Sequence, residues 1–404
     1  MKHIVYLSLI FSLLFTMSAL ALAKNVAVQN SDELHQALSD FQSGDSIYLA
    51  AGDYQLETGF ELSGDIELVG AGYEATFIKL HAKYAGISFS AGKVLLRGIS
   101  FDYVGELEAD VMAIYDAYLF IDSCRFRYGR YLEPAEEDLV YGGGLWLYGR
   151  SRGLIRDSRF EDNGLFGLQL WDDVRIRLQN IEVRRNMQSG LDLGERSFAS
   201  VEDSLFEENG WGGLEMGGSS QAIISNSHFK QNQENGIWLF NSSNLLIHHS
   251  ESYHNAFSGL TLSEDSYAFI NANDFWGNED NGLTLFNQSM ANVYDNRMRE
   301  NQLSGVGIED DSIARIERNL LNRNNSAGLA TFHLAHGFAE DNLISKNLSD
   351  GVYLASESCS SLKHNRSLDN GGYGIYVENI SLCNHIEANE SLNNSEGAIF
   401  YDNP

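Results

Sequence analysis

The chain has 404 residues, of which 27 are basic and 56 acidic, and its formal net charge is −29. So negative a chain excludes nucleic acid and anionic membrane surfaces as partners, because their phosphates would be repelled. Its three cysteines are too few for a disulfide framework.

Residues 1–23 are predicted to be a secretory signal peptide. Lys2 precedes an apolar stretch from Ile4 to Phe15, and residues 21–23 form the A-x-A cleavage site Ala-Leu-Ala. The apolar stretch is short for a membrane span and no other segment approaches one, so no membrane insertion is expected. We therefore expect a secreted or periplasmic mature protein.

The mature chain opens with a short predicted helix over residues 32–41. Residues 43–49 then read S-G-D-S-I-Y-L, residues 51–54 read A-G-D-Y, and residues 66–72 read I-E-L-V-G-A-G.

Two expansions precede Gly144. Phe101, Phe126 and Phe160 occupy equivalent positions, yet they are 25 and 34 residues apart, against a period of 23 further along. The larger excess places a loop at about residues 128–141, and a smaller one lies near residues 103–110. Both loops should lie over one edge of the sheet formed by the Gly-Leu-x-Leu strands described below. On a repeat whose other turns are short, long loops usually hold the residues that bind a ligand. The alternative is a loop that only protects a sheet edge.

From Gly144 to Gly397, twelve glycines recur every 23 residues without an insertion or deletion. Around them the chain reads Asn-x-x-x-Gly-Leu-x-Leu, as in residues 186–193, and the alternating leucines predict a short strand with its leucines inward. Two further apolar columns, one through Leu178 and one through Phe160, predict a second and a third strand in each period. Three strands per 23 residues predict an all-β, single-stranded parallel β-helix solenoid with 23-residue rungs.

The corners of the predicted rungs carry ladders of identical polar residues. One asparagine register runs from Asn163 to Asn370, a second from Asn273 to Asn365, and a serine register begins at Ser151. We expect stacked amides and hydroxyls to bond their equivalents on the next rung, because buried turns must satisfy their polar groups.

This combination resembles the right-handed parallel β-helix proteins of the pectin-lyase-like class over nearly the whole mature chain. The resemblance implies a right-handed solenoid over residues 61–404, with residues 24–60, including the short helix, as the N-terminal cap that starts it. That class contains lyases, hydrolases, epimerases, esterases and adhesins, so the fold alone does not assign a function. The D-P-H-D motif of mannuronan epimerases, the motif series of polygalacturonases and the R-x-P-x-x-R motif of pectate lyases are all absent. A lyase needs a basic residue near the C5 proton, and here only Arg196 and Arg150, and no lysine, are placed for it, which favours hydrolysis or binding.

The outward positions of the Gly-Leu-x-Leu strands predict one surface patch. Asp192 and Glu215 lie on consecutive rungs, about 5 Å apart by strand spacing, and Gly194 and Gly217 beside them should leave a depression. The aromatic residues that wall this depression are Trp146, Tyr148, Trp171, Trp238 and Phe240. Aromatic faces beside carboxylates and amides suit sugar rings, so a polysaccharide or other glycan is the predicted partner.

Two neighbouring carboxylates cannot both ionise easily, so one of them should have a raised pKa. A proton donor about 5 Å from a charged partner matches the retaining geometry of glycosidic cleavage. We therefore predict Asp192 and Glu215 as catalytic residues, Gln169 and Arg196 as residues that orient substrate, and the five aromatic residues as substrate-binding. The alternative is a solvated acidic stripe or a weak Ca²⁺ site; otherwise no metal or cofactor is predicted.

Three functions remain open at this stage: a polysaccharide hydrolase or lyase, a non-catalytic carbohydrate-binding or envelope-interaction solenoid, and a purely structural protein. Whether the protein is an enzyme is not decided by its sequence.

Cys359 and Cys383 lie on neighbouring rungs, where a disulfide bridge is conceivable in an oxidising compartment. No C-terminal cap is evident after Gly397, so the last rung offers an open edge through which the protein could oligomerise.

Overall fold

The computed structural model describes residues 23–132, 140–378 and 383–402, and these form a solenoid of three long parallel sheets. Successive strands pass from one sheet to the next, so that each turn of about 23 residues adds one strand to every sheet. The fold class predicted from the repeat is confirmed, including the short N-terminal helix.

Sheet 1 holds the Gly-Leu-x-Leu strands, sheet 2 the strands that follow them and sheet 3 the strands after those. The strands of sheet 1 are Phe60–Ser63, Tyr84–Ser90, Ala109–Tyr115, Leu145–Tyr148, Leu168–Leu170, Leu191–Leu193, Leu214–Met216, Ile237–Leu239, Leu260–Leu262, Leu283–Leu285, Val306–Ile308, Leu329–Thr331, Val352–Leu354, Tyr373–Glu378 and Gly397–Asp402. The strands of sheet 2 are Asn25–Val28, Asp45–Leu49, Ile66–Val69, Lys93–Arg97, Tyr118–Asp122, Arg152–Arg156, Arg175–Gln179, Phe198–Glu202, Gln221–Ser225, Asn244–His248, Tyr267–Asn271, Met290–Tyr294, Ile313–Glu317, His336–Glu340, Ser361–Lys363 and His385–Glu387. The strands of sheet 3 are Gly52–Leu56, Thr76–Leu80, Ser100–Tyr103, Arg125–Arg127, Arg159–Glu161, Glu182–Arg184, Leu205–Glu207, His228–Lys230, Glu251–Tyr253, Asp274–Trp276, Arg297–Arg299, Leu320–Asn322, Leu343–Ser345, Arg366–Leu368 and Glu390–Leu392.

The core is a column of apolar side chains in register from rung to rung. Phe101, Phe126 and Phe160 pair across sheet 3 as the sequence predicts, with ring centroids 5.3 and 5.0 Å apart. Leu145, Leu168 and their equivalents in sheet 1 are buried. Burial of apolar area at every rung stabilises the solenoid locally, because each turn contacts only its neighbours.

The asparagine ladders form as predicted. Nδ2 of Asn186 donates to Oδ1 of Asn209 at 2.9 Å, and Nδ2 of Asn209 donates to Oδ1 of Asn232 at 3.0 Å. The serine ladder forms in part: Oγ of Ser289 and Oγ of Ser312 lie 3.3 Å apart, whereas among the described residues the buried hydroxyls of Ser197, Ser220, Ser243 and Ser266 have no hydrogen-bond partner. At those turns the backbone is satisfied without the hydroxyl, as where the amide of Ser197 donates to the carbonyl of Gly194 at 3.1 Å.

The N-terminal helix spans Ser31–Ser39 and buries Leu34 and Leu38. The Asn30 side chain caps it by accepting from the amide of Glu33 at 3.0 Å. Residues 1–22 of the predicted signal peptide lie outside the described residues. No helix in the described part of the chain is long and apolar enough to cross a membrane.

Cys359 and Cys383 form a disulfide between neighbouring rungs, with their Cα atoms 5.3 Å apart, and Cys124 is a buried free thiol. At the C-terminal end, Ile399 and Tyr401 of the last strand of sheet 1 are 40% and 44% exposed. Whether this end pairs with a second copy stays a prediction.

Candidate functional site

The outward side chains of sheet 1 lie in one column, as predicted. Strand pairing aligns Trp146 with Gln169, Gln169 with Asp192, Asp192 with Glu215 and Glu215 with Trp238. Adjacent parallel strands are about 4.8 Å apart, so the column from Trp146 to Trp238 covers about 19 Å. The predicted carboxylate pair is therefore brought together by the fold.

Asp192 is 9% exposed, and two side chains of the preceding rung hold one of its oxygens. Nε1 of Trp171 donates to Oδ2 of Asp192 at 2.8 Å, and Nε2 of Gln169 donates to the same oxygen at 3.0 Å. Burial raises the pKa of Asp192, and these two hydrogen bonds partly offset the increase. The carboxylate thus fixes the orientation of an indole and an amide on this face.

Glu215 is 6% exposed and sits directly beside Asp192. Its pKa is raised to about 7: burial is the main cause and the charge of Asp192 adds to it, while Ser189 and the amide of Gly212 lower it in part. Oε1 of Glu215 and Oγ of Ser189 are both buried, and neither has a hydrogen-bond partner among the described residues. The predicted raised pKa is therefore present, with burial as its main cause.

The depression predicted beside these acids is filled, and that expectation is wrong. A Cβ at Gly194 would lie 2.9 Å from Cε2 of Trp171, and one at Gly217 would lie 2.5 Å from Cε2 of Phe240. The two glycines thus leave the space that the rings of Trp171 and Phe240 occupy, and burial of ring area against the backbone stabilises this arrangement.

Arg196 and Trp238, two of the predicted substrate-binding residues, each bond to another side chain of the protein. The Arg196 guanidinium pairs with Asp173 on the exposed turn, Nε to Oδ1 at 2.8 Å, and its predicted role in orienting substrate stays a prediction. Nε1 of Trp238 donates to Oγ of Ser263 at 3.2 Å, and its ring centroid lies 5.2 Å from that of Phe240.

Trp146 and Tyr148 line a cleft of about 640 Å³ at the N-terminal end of the same face. Their rings stack with centroids 4.7 Å apart and an interplanar angle of 24°. Residues of both predicted expansions line the cleft, including Tyr103 and Leu107 from the first and Tyr141 from the second. Residues 133–139 of the second loop lie outside the described residues.

Asp110 lines this cleft and is only 5% exposed. Its Oδ1 accepts the backbone amides of Gly142 at 2.9 Å and Gly143 at 2.7 Å. Burial raises the pKa of Asp110 to about 7, although both amide hydrogen bonds lower it. Gly142 has a φ of +138°, a conformation that only glycine adopts readily, and this places both amides toward Oδ1.

Further charged groups line the cleft: Glu57, Glu61, Glu106, Lys83 and His81. Nζ of Lys83 donates to the Tyr84 hydroxyl at 2.8 Å, and Nδ1 of His81 lies 4.0 Å from Oε2 of Glu57. Burial raises the pKa of Tyr148, and the neighbouring Tyr115, Glu61 and Asp110 add to the increase.

The sequence interpretation missed Asp110, Glu61 and Lys83 as site residues. Two signals could have found them: the expanded loops, which it did assign to this edge, and the run Gly142-Gly143-Gly144, which suits close backbone approach to a ligand or side chain. In the part of the chain that the structure describes, no group of three or more His, Cys, Asp or Glu side chains is placed to hold a metal ion.

Fold and site together define a right-handed β-helix solenoid with an aromatic, carboxyl-bearing face. The chain belongs to the family described as right handed beta helix region, whose model matches residues 85–257, 196–336 and 258–403. No protein among the curated sequences matches the chain.

Solved structures with a similar fold include the periplasmic alginate epimerase AlgG, with a TM-score of 0.54 at 13% identity, covering 93% of this chain and 83% of that one. A mutant of that epimerase gives a TM-score of 0.56 at 14% identity, covering 85% of this chain and 83% of that one. The catalytic unit of a GH87 alpha-1,3-glucanase from Streptomyces thermodiastaticus gives 0.47 at 14% identity, covering 94% and 67%. At these identities the likeness establishes the fold alone.

Proposed function

We propose that this protein binds a polysaccharide along the outward face of sheet 1, from the cleft to Phe240, and processes it on that face. The observation that carries the proposal is the continuity of this surface. Trp146 belongs to the cleft and also heads the column that continues through Gln169, Asp192 and Glu215 to Trp238. A track of about 19 Å accommodates several sugar units, whereas a small metabolite needs only the cleft.

The chemistry of the track suits sugar rings. Trp171 is 40% exposed and Asp192 anchors its indole, so an apolar face is presented to solvent in a fixed orientation. Pre-oriented aromatic side chains bind with little loss of conformational entropy, and C–H faces of sugars stack on them.

Processing requires a carboxyl group that keeps its proton near neutral pH. Glu215, with a pKa raised to about 7 by burial, fulfils that condition, and Asp192 is its neighbouring carboxylate. The assignment of this pair as catalytic stays a prediction.

A non-catalytic binding function is the second candidate, and one observation favours it. Oδ2 of Asp192 already accepts from both Trp171 and Gln169, so its geometry serves the orientation of binding side chains. In that case Asp192 acts through the indole, and Glu215 contributes only to the shape of the surface.

The same proposal includes export to the periplasm or the cell exterior. Its support is the signal-like sequence of residues 1–23. The disulfide between Cys359 and Cys383 suits an oxidising compartment.

The test is a panel of polysaccharides, with binding and reducing-end release measured for the intact protein, Trp146→Ala and Asp192→Asn/Glu215→Gln. Trp276→Ala, on the outward side of sheet 3, is the matched control. Trp146→Ala should weaken binding at least about tenfold, as expected for an aromatic anchor, whereas Trp276→Ala should not. If no glycan binds, or if both tryptophan variants behave alike, the proposal is wrong. Release that survives in the double carboxyl variant removes Asp192 and Glu215 from the chemistry.

A further inference from the structure

The cleft exists because the outward column of sheet 1 is lined by small side chains at its N-terminal end. Strand pairing places Glu61, Ser88, Ala113 and Trp146 in succession, so only Ser88 and Ala113 stand between a carboxylate and an indole three rungs away. Three strand spacings amount to about 14 Å, enough for a disaccharide unit above the two small residues. Trp146 closes one end of this floor with its ring against Tyr148.

The two carboxyl oxygens of Asp110 differ in their hydrogen bonds. Oδ1 accepts the amides of Gly142 and Gly143, whereas Oδ2 has no hydrogen-bond partner among the described residues and is not among the buried, unpartnered atoms. The lone pairs of Oδ1 are occupied by the two amides, so the proton of the neutral acid must sit on Oδ2. The amide hydrogen bonds from Gly142 and Gly143 to Oδ1 therefore place the acidic proton on Oδ2, the oxygen that solvent reaches.

A second carboxyl group faces the same space. Glu61 is exposed and lines the cleft, and the charges of both Glu61 and Asp110 act on the hydroxyl of Tyr148. The cleft thus has a buried acid, a solvated carboxylate and an aromatic pair among its lining residues. A protonated acid and a carboxylate are the two groups that glycoside hydrolysis requires.

We propose that the cleft is a hydrolytic site for a glycan free of carboxylate groups, with Asp110 as the proton donor, Glu61 as the base and the Trp146–Tyr148 pair as the sugar platform. This inference rests on the proposed function, that the protein acts on polysaccharides. The C1–O bond breaks, and the leaving oxygen takes the proton from Oδ2 of Asp110. Water bonds to C1 and passes its proton to Glu61, so that one water is consumed and one new reducing end is formed.

The charge of the cleft decides the class of substrate. Among the described residues, the carboxylates of Glu57, Glu61 and Glu106 line it beside the acid Asp110, against the cations of Lys83 and, when protonated, His81. A uronate polymer would bring further negative charge to a surface that is already acidic, in a chain of net charge −29. Neutral sugars and amino sugars meet no such repulsion.

The burial of Asp110 gives it a pKa of about 7, so that it keeps a substantial protonated fraction near neutral pH. Asp192 and Glu215 are not among the residues that line the cleft, whereas Asp110 is, with Oδ2 as its unpartnered oxygen among the described residues.

The test is reducing-end release from neutral, amino-sugar and uronate polysaccharides by the intact protein, Asp110→Asn, Glu61→Gln and Asp192→Asn/Glu215→Gln. Asp110→Asn keeps an oxygen for the two glycine amides, and circular dichroism checks its fold. We expect release only from the carboxylate-free glycans, with kcat about 100-fold lower in Asp110→Asn and KM little changed, since general acids contribute about that much or more. An activated aryl glycoside of the cleaved sugar, whose leaving group needs no proton, should restore the rate of Asp110→Asn but not that of Glu61→Gln.

Release that persists in Asp110→Asn, or release from uronate polymers alone, overturns the inference and leaves polysaccharide processing in place. Loss of activity in Asp192→Asn/Glu215→Gln with full activity in Asp110→Asn does the same and assigns the chemistry to the other pair. If Asp110→Asn does not fold, full activity in Glu61→Gln, whose side chain is exposed, is sufficient to reject the site. Absence of any glycan binding rejects the proposed function together with the inference.

Discussion

The substitution Glu215→Gln tests whether Glu215 is a buried acid with a raised pKa. The measured quantity is protein stability, so the test needs no substrate. Burial, together with the charged neighbours Asp192 and Glu234, raises the pKa of Glu215 from 4.5 to about 7. In the folded protein the proton is therefore held more tightly than in the unfolded chain. Glu215 contributes its full stabilisation below about pH 4.5, and that contribution is lost as the pH rises through about 7.

The magnitude follows from the pKa difference. At about 1.4 kcal/mol per pKa unit, a shift from 4.5 to about 7 amounts to about 3 kcal/mol of unfolding free energy lost from this one residue. Glutamine keeps the shape of the neutral acid but does not ionise. Glu215→Gln should therefore remove about 3 kcal/mol of the fall in stability between about pH 4.5 and about pH 8.

The assay is urea unfolding followed by circular dichroism at several pH values across that interval, with Glu279→Gln as an exposed control. The quantity compared is the change in unfolding free energy with pH, because other carboxyl groups titrate in every variant. If the intact protein and Glu215→Gln lose the same free energy over the interval, Glu215 is not a buried acid with a raised pKa, and its candidacy as a proton donor ends.

Three further predictions concern the scaffold and the aromatic surface. Asn209→Ala should lower the unfolding free energy by about 4 kcal/mol, measured by urea unfolding, because the Asn209 side chain makes four hydrogen bonds worth about 1 kcal/mol each; an effect under about 1 kcal/mol would contradict a ladder that stabilises the fold. Gly217→Ala should displace the Phe240 ring, which a Cβ would approach to 2.5 Å, and so change the fluorescence of the adjacent Trp238 and weaken glycan binding; an unchanged spectrum argues against the ring lying over the backbone. Reduction of the disulfide, or Cys359→Ser/Cys383→Ser, should lower stability by about 3 kcal/mol for a loop of this length, with the thermal midpoint as the measure and an unchanged midpoint as the contrary result.

Most of the architecture followed from the 23-residue period. A register without insertions places each side chain above its counterpart, so the pairing of Asp192 with Glu215 and the asparagine ladders could be predicted from spacing alone. The serine ladder could not, because whether a hydroxyl meets its neighbour depends on its rotamer. Likewise, the period showed that Gly194 and Gly217 lack side chains but not that the rings of Trp171 and Phe240 occupy that space.

The sequence by itself determined the repeat, the three strands of each rung and the column of residues on the outward face, because these depend only on position within a strict period. Where a ligand has room became visible only in the folded chain. The cleft is lined by Tyr103, Leu107 and Tyr141, and the amides of Gly142 and Gly143 reach the side chain of Asp110, more than thirty residues earlier. Such contacts follow no period, since they depend on the path of a loop and on which side chains fill the space around it.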